Sequence, residues 1–440
     1  MPLPPISEMR PPRTGKRKSR RQRVPPALTR GPDRLDGLGI LDEVGGELGL
    51  VLWRSARNVR LWAETPAERR GGLFSGGAAQ VRRDELAGAG PDPELLAPLS
   101  VIVSLLERPA TADVLRVVNA CRRVALWAEQ RGALATALEF AQAAALVVPD
   151  SAALAYAVGR LARRHSEFDR AESWYTRAII QGRQTKDWRA YAQGFTGMGN
   201  LHMQRGNYPA ARRSHVRALR AAGRHGHPEL LGMAYHDLFV VTAAMGGGFE
   251  ADHFAAKAFR AYGAGHPGVL RLAYDVAYHW TLQGYFSGAL GVATSLVPHV
   301  EDLAMRALLQ ALVARAAGGA GDPRAFETAA ADAQVLIEQG VAQEMTAPTL
   351  LGLTYGAMSL GEWERACEWA ERALWLATEH REGRVALEAE AALDSAKRRV
   401  GRLAPAQPIG SRPAPELDAA AELADQFVEA LAARQPAAVG

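Results

Sequence analysis

Small and apolar residues recur in the same order in two consecutive stretches near the middle of the chain. The first stretch has Gly159, Phe168, Ala171, Tyr175 and Ala178. The second has Gly199, Tyr208, Ala211, His215 and Ala218, each 40 residues after its counterpart. A helix pair cannot bury its apolar face alone, so this repetition predicts helix pairs that stack against their neighbours.

A recurring turn signal separates the two helices of each pair from about Thr111 to Gly401. It is a Gly or small polar residue, then Leu or an aromatic residue two positions later, then Ala three positions after that. The signal occurs at Gly132-Leu134-Ala137, Ser166-Phe168-Ala171, Gly206-Tyr208-Ala211, Gly284-Phe286-Ala289 and Gly361-Trp363-Ala366. The glycine run at 246–248 has an ambiguous register, and a weaker unit lies around 318–326. Residues 108–402 are therefore predicted to form a helical repeat array.

The segments on either side of this array differ from it in composition. Residues 1–35 are rich in Pro and Arg and are predicted to be a disordered basic arm. Residues 36–107 are predicted to be a helical region, with one helix ending before Pro66 and another from about 93 to 106. Residues 403–414 are predicted to be a linker, and 415–434 an acidic amphipathic helix that either caps the array or regulates its groove.

The helix-pair pattern resembles that of tetratricopeptide repeats. That family has a small residue midway along the first helix, a Gly-x-aromatic turn, and alanines on the second helix. The matching residues are Gly159 and Gly199, Gly206 with Tyr208, Gly361 with Trp363, and the alanines at 171, 178, 211, 218, 366 and 373. The resemblance covers about two thirds of the chain. It implies an all-α fold, a right-handed α-solenoid of antiparallel helix pairs, with a concave face lined by the first helix of each pair.

The charge of the chain is concentrated at one end. The 52 Lys and Arg against 47 Asp and Glu give a formal net charge of +5. Residues 1–30 hold nine basic residues and one acid, or +8, so the remainder carries about −3 (5 minus 8). The folded part is therefore not expected to be a nucleic-acid surface. An alternative is a regulatory repeat protein that contacts nucleic acid through the basic arm, at residues 10–23.

Few residues point to metal, cofactor or catalytic chemistry. Cys121 and Cys367 lie 246 residues apart, and the close pair His225 and His227 has no Cys or acidic residues grouped with it. No nucleophile elbow, metalloprotease helix or phosphate loop occurs, so neither an enzyme nor a cofactor is expected. With no apolar run of the ~18 residues that span a bilayer and no secretory signal, a cytoplasmic protein is expected.

A basic groove on the first helices is the candidate binding site. Projection of these helices directs seven polar side chains toward it: Asn119, Arg122, Arg123, Arg160, Arg164, Asn200 and Gln204. Some members of the resembled family hold a peptide's terminal carboxylate between Asn and basic residues. Asn200 occupies one such position, whereas Thr196 stands where the family has Lys. We therefore expect the partner to be a protein or peptide, acidic or ending in a carboxylate, held by Arg forks.

Overall fold

The computed structural model describes residues 24–25, 37–340, 343–400 and 414–434. The regular structure in these ranges is helical, and the predicted all-α fold of helix pairs is confirmed. The Cα positions divide the chain into two compact units, Met1–Asp187 and Trp188–Gly440. The predicted arm at 1–35, including its nucleic-acid contact at 10–23, and the linker at 403–414 lie outside the described residues, apart from positions 24, 25 and 414.

The first unit contains eight helices and one turn of 3₁₀-helix at Ala67–Gly72 in its described part. The helices are α1 (Leu38–Glu43), α2 (Gly46–Glu64), α3 (Ala78–Ala89), α4 (Pro93–Glu107), α5 (Val114–Gln130), α6 (Leu134–Val147), α7 (Ala152–Arg164) and α8 (Phe168–Thr185). Helices α5 with α6 and α7 with α8 are the first two pairs of the repeat array.

The second unit contains twelve helices in its described part, with a short 3₁₀ segment at Val297–His299. They are α9 (Trp188–Gln204), α10 (Tyr208–Arg224), α11 (Pro228–Ala244), α12 (Gly248–Tyr262), α13 (Gly268–Gln283), α14 (Phe286–Leu296), α15 (Leu303–Ala320), α16 (Pro323–Glu338), α17 (Gln343–Leu360), α18 (Trp363–Glu379), α19 (Gly383–Lys397) and α20 (Ala414–Ala432). Five pairs run from α9 to α18, and α19 packs on α18.

The helices before the array pack on its first pair. Glu43, at the end of α1, caps the start of α6: its carboxylate accepts hydrogen bonds from the N–H groups of Ala135 (2.7 Å) and Thr136 (2.8 Å). These N–H groups have no partner within their own helix, so a carboxylate is favoured there. The Trp62 indole of α2 is buried and donates to the Pro109 carbonyl at 2.7 Å. The N-terminal helices thus cover one end of the α5–α6 pair.

The turn signal in the sequence marks a backbone conformation. Gly132, Gly206, Gly284 and Gly361 have φ between 71° and 80°, in the left-handed region that favours glycine. The N–H that follows each of them donates to the carbonyl five residues earlier, which closes the end of the first helix. The ambiguous run turns at Gly246 (φ 82°) and the weaker unit at Gly321 (φ 74°), so both are turns of the same kind.

Glycines within the first helices allow a ring of the second helix to lie against the backbone. A Cβ atom on Gly159 would lie 2.7 Å from the Tyr175 ring, and one on Gly199 would lie 2.3 Å from the His215 ring. No side chain fits at these distances. The sequence analysis identified both glycines, and their close partners are these rings.

Helix α20 packs against the second helices of two earlier pairs, α12 and α14. Phe427 is fully buried, and its ring centroid lies 4.9 Å from that of Phe259. Beyond the helix, Arg434 Nη2 donates to the carbonyls of Ala264 (2.7 Å) and His266 (2.6 Å). The apolar face of α20 is therefore used in packing on these second helices.

Ser166 occupies a left-handed turn position (φ 61°) at which the turns within the other helix pairs have glycine. Because a side chain destabilises this conformation, Ser166→Gly should raise the free energy of unfolding by about 1 kcal/mol. The reciprocal control is Gly132→Ser, in the same unit at φ 75° with open space around its Cβ position, which should lower it by about 1 kcal/mol. Urea unfolding followed by circular dichroism measures both, and a loss of stability in Ser166→Gly would contradict the assignment.

His215 should make the protein less stable in mild acid. Burial lowers the pKa of His215, with Asp237 opposing the shift and His202 adding to it. The unfolded chain then takes up the proton first, so the free energy of unfolding should fall as pH drops below about 6.5.

The matched variant is His215→Tyr, because Tyr175 fills the equivalent position over Gly159. We expect a smaller loss of stability between pH 7.5 and pH 5 in this variant than in the wild type. Thermal unfolding at several pH values measures the difference, and identical pH profiles would show that His215 does not contribute.

Candidate functional site

The predicted groove residues lie on three helices. Helix α5 carries Asn119, Arg122 and Arg123, which are exposed, and α7 carries half-buried Arg160 and exposed Arg164. Both helices belong to the first unit. Asn200 and Gln204 lie on α9, which belongs to the second unit, so they are described separately below.

A pocket of ≈ 580 Å³ lies between α5 and α7, over α6. We call it the α5–α7 groove. It is lined by Asn119, Arg122, Arg123, Leu126, Glu129, Ala141, Leu154, Ala157, Arg160 and Leu161, with Ala125. Four of the predicted residues are thus brought together in one pocket.

Helical spacing and an N-terminal cap set the positions of the side chains on α5. Asn119, Arg122, Leu126 and Glu129 are separated by three, four and three residues, which places them on one face of α5. The Asp113 carboxylate accepts from the backbone N–H groups at the start of α5, at 2.9 and 3.2 Å. Such caps fix where a helix begins and hence which face it presents.

Glu129 holds the two arginines of α7, and the sequence analysis did not identify it. Its carboxylate accepts from Arg160 through both oxygens, Nη1 to Oε1 at 2.5 Å and Nη2 to Oε2 at 2.6 Å. Arg164 Nη1 also donates to Oε1 of the same carboxylate. The forks of Arg160 and Arg164, expected to hold the ligand, are therefore engaged within the protein. The signal for Glu129 was present, since it shares the face of α5 with Asn119.

Glu129 on α5 and Arg160 on α7 each keep the other ionised at this end of the groove. The Arg160 guanidinium, through its hydrogen bonds, holds the pKa of the Glu129 carboxyl below its usual value. Glu129 in turn raises the pKa of Arg160. Glu129 lies in the last turn of α5, where a negative charge is unfavourable, so the two arginines also compensate for the helix dipole.

Arg122 and Arg123 form the part of the groove that remains open to an anion. In the described part of the chain, no carboxylate lies within 4.0 Å of either guanidinium. Beside them is an apolar surface that includes Leu126, which is 54% exposed. An exposed cation pair next to exposed aliphatic side chains suits a segment that is both acidic and apolar.

The two candidates on α9 have no cationic neighbour at the family position. Asn200 is half-buried and Gln204 exposed, while Thr196 is buried with 7% of its surface accessible. A carboxylate clamp needs a cation beside the Asn amide, and residue 196 supplies none. Asn200 and Gln204 therefore offer an anion less than the arginine pair on α5 does.

Metal, thiol and membrane chemistry find little support among the described residues. No group of three or more His, Cys, Asp and Glu side chains is arranged to hold a metal ion in that part of the chain. Burial raises the pKa of Cys121 to about 12, so this thiol is a poor nucleophile. None of the described helices is both long and apolar enough to cross a bilayer.

No protein-family model matches the chain, and no curated protein does either. Among solved structures, BtubC (BKLC) from P. vanneervenii matches at 13% identity and a TM-score of 0.40, covering 52% of this chain and 92% of that one. A tetratricopeptide repeat protein from Parabacteroides merdae ATCC 43184 matches at 15% and 0.42, covering 62% and 98%. A Rap protein complexed with competence and sporulation factor matches at 10% and 0.35, covering 80% and 98%.

These comparisons do not identify a ligand, so the class of ligand is inferred below from the side chains of this chain. Its fold follows from them as well: the left-handed turn between paired helices and the glycine beneath a ring recur along the array. In these features the chain is similar to tetratricopeptide repeat proteins.

Proposed function

We propose that the chain is a non-enzymatic scaffold that binds an acidic, partly apolar segment of a protein partner in the α5–α7 groove. The observation that carries this proposal is the pair Arg122 and Arg123, exposed and without a carboxylate partner among the described residues, beside an apolar floor. Both arginines project from α5, whose backbone is fixed by its packing on α6 before the partner arrives, so binding orders only their side chains and not the backbone of the site.

Recognition combines charge and burial. Each guanidinium presents a planar fork that binds a carboxylate through two hydrogen bonds. Leu126 and Leu154, on opposite sides of the groove, lose exposed apolar surface when an aliphatic side chain of the partner packs between them. A segment in which acidic and aliphatic residues alternate satisfies both requirements in an extended conformation.

Glu129 orients the bound segment. Its carboxylate lies at the end of the groove where Arg160 and Arg164 converge, and it already accepts hydrogen bonds from both, so these arginines are less available to a second carboxylate. The acidic side chains of the partner are therefore directed to Arg122 and Arg123, and its aliphatic side chains to the floor. The ion pairs already formed at this end of the groove thus set the register of the segment.

Charge reversal of the open pair tests the proposal. The probe is a fluorescein-labelled peptide of alternating Glu and Leu, followed by fluorescence anisotropy. Because reversal replaces two attractive charges with two repulsive ones, Arg122→Glu/Arg123→Glu should weaken binding at least about tenfold. Added salt should weaken wild-type binding too, because the pair is exposed.

The matched control is Arg213→Glu/Arg220→Glu, which changes the net charge equally at exposed positions on α10 of the second unit. Its affinity for the peptide should stay within about twofold of the wild-type affinity at a salt concentration that screens long-range charge effects. A second probe with Gln in place of Glu should bind weakly to all three proteins. Equal weakening by both double variants would reject the groove as the site.

A further inference from the structure

A second pocket, of ≈ 340 Å³, lies within the second unit among α13, α15, α17 and α19. We call it the tyrosine pocket. It is lined by Tyr274, Tyr278, Leu312, Arg315, Tyr355 and Val385, among others. Its volume is at the small end of the range found for small-molecule sites, roughly 300–1,000 Å³.

Arg315 is a buried cation in this pocket. The residue is 8% exposed, and its guanidinium carbon lies 4.5 Å from the centre of the Tyr355 ring. The Nη2 atom is buried without a hydrogen-bond partner, and no carboxylate of the described residues lies within 4.0 Å of the guanidinium. Burying a charge without an anion is costly, and stacking on a ring offsets only part of the cost.

Each of the other charged side chains that line the pocket has a hydrogen-bond or ion-pair partner beside it. Asp275 Oδ2 lies 2.8 Å from His236 Nε2 and 3.9 Å from Arg271 Nε. Glu388 Oε1 lies 3.2 Å from Arg384 Nε. Arg315 is therefore the charge in the lining that lacks a counter-ion, and the pocket favours an anionic ligand.

The remaining lining is aromatic and aliphatic. Burial raises the pKa of Tyr355 to about 12 and raises that of Tyr274 as well, so both phenols are neutral at physiological pH. A neutral phenol donates a hydrogen bond to an anion, and its ring packs on an apolar group. Leu312 and Val385 add aliphatic surface. The ligand should therefore carry a carboxylate on an apolar body.

We propose that the tyrosine pocket binds a small free carboxylic acid with a ring-bearing apolar body, whose carboxylate pairs with Arg315 and whose ring packs among the tyrosines. This site is distinct from the α5–α7 groove and takes a different class of ligand. The chain then receives a small-molecule signal in its second unit independently of partner binding in its first. Either proposal can fail without the other.

Matched probes test the charge requirement. The probes are 4-phenylbutyrate and its neutral amide, titrated into the full chain and followed by ligand-observed NMR. The acid should bind at least about tenfold more tightly than the amide, since only the acid supplies an anion to Arg315. Equal affinities of the two probes would overturn the proposal.

The variant Arg315→Met keeps the unbranched stem against Tyr355 and removes the charge. It should weaken binding of the acid at least about tenfold. The control Arg384→Gln changes another cation of the same pocket, one already beside Glu388, and should stay within about twofold of the wild type. Loss of binding in both variants to the same degree would assign the effect to general charge and overturn the role of Arg315.

Thermal stability separates a binding role from a structural one. A buried arginine without a counter-ion destabilises the unliganded protein, so Arg315→Met should unfold at the same temperature as the wild type or higher. The acid should raise the unfolding temperature of the wild type but not of the variant. A variant that unfolds well below the wild type would show that Arg315 supports the fold, against the proposal.

A pocket-filling variant provides a second test. Leu308→Trp, at a half-buried position in the lining, should fold and exclude the acid while Arg315 stays in place. A tripeptide ending in Phe with a free carboxylate is the last probe. If it binds at least tenfold more tightly than 4-phenylbutyrate, the pocket serves a chain terminus, and the small-molecule assignment is wrong.

Discussion

Neighbouring helices in this chain approach each other at positions where a methyl group does not fit. A Cβ on Gly159 would meet the Tyr175 ring at 2.7 Å, and one on Gly318 would lie 2.3 Å from the Gly356 carbonyl oxygen. At such separations interior packing leaves no room for adjustment, so the distance between helices is fixed within narrow limits. The position of α7, which forms one wall of the α5–α7 groove, is thereby fixed relative to α8.

Much of the fold was predictable because one local rule repeats. A residue in the left-handed conformation ends the first helix of each pair. Because this conformation favours glycine, a glycine in the sequence indicates where the helix ends. The rule also located the turn at Ser166, where neighbouring residues carried the signal. It did not find α3 (Ala78–Ala89), because that helix buries only Ala79 and Leu86 and shows a weak apolar stripe after a glycine-rich loop.

The sites were predictable only in part, because polar partners belong to different helices. Projection of single helices placed Asn119, Arg122, Arg123 and Arg160 on one side, and they do share a pocket. It did not pair Arg160 with Glu129, 31 residues earlier on another helix. Arg315 was missed for the same reason. Whether an arginine is paired or isolated depends on what three or four neighbouring helices bring near it, and no local pattern in the sequence records this.

The position of α20 has a consequence for biosynthesis. Its packing partners α12 and α14 end at Tyr262 and Leu296, so the ribosome adds more than 130 residues between the completion of α14 and that of α20. At typical translation rates of about 5–20 residues per second, this takes roughly seven to thirty seconds. During that interval Phe259 lacks its contact with Phe427, and apolar surface that is exposed transiently in this way makes a folding chain prone to aggregation.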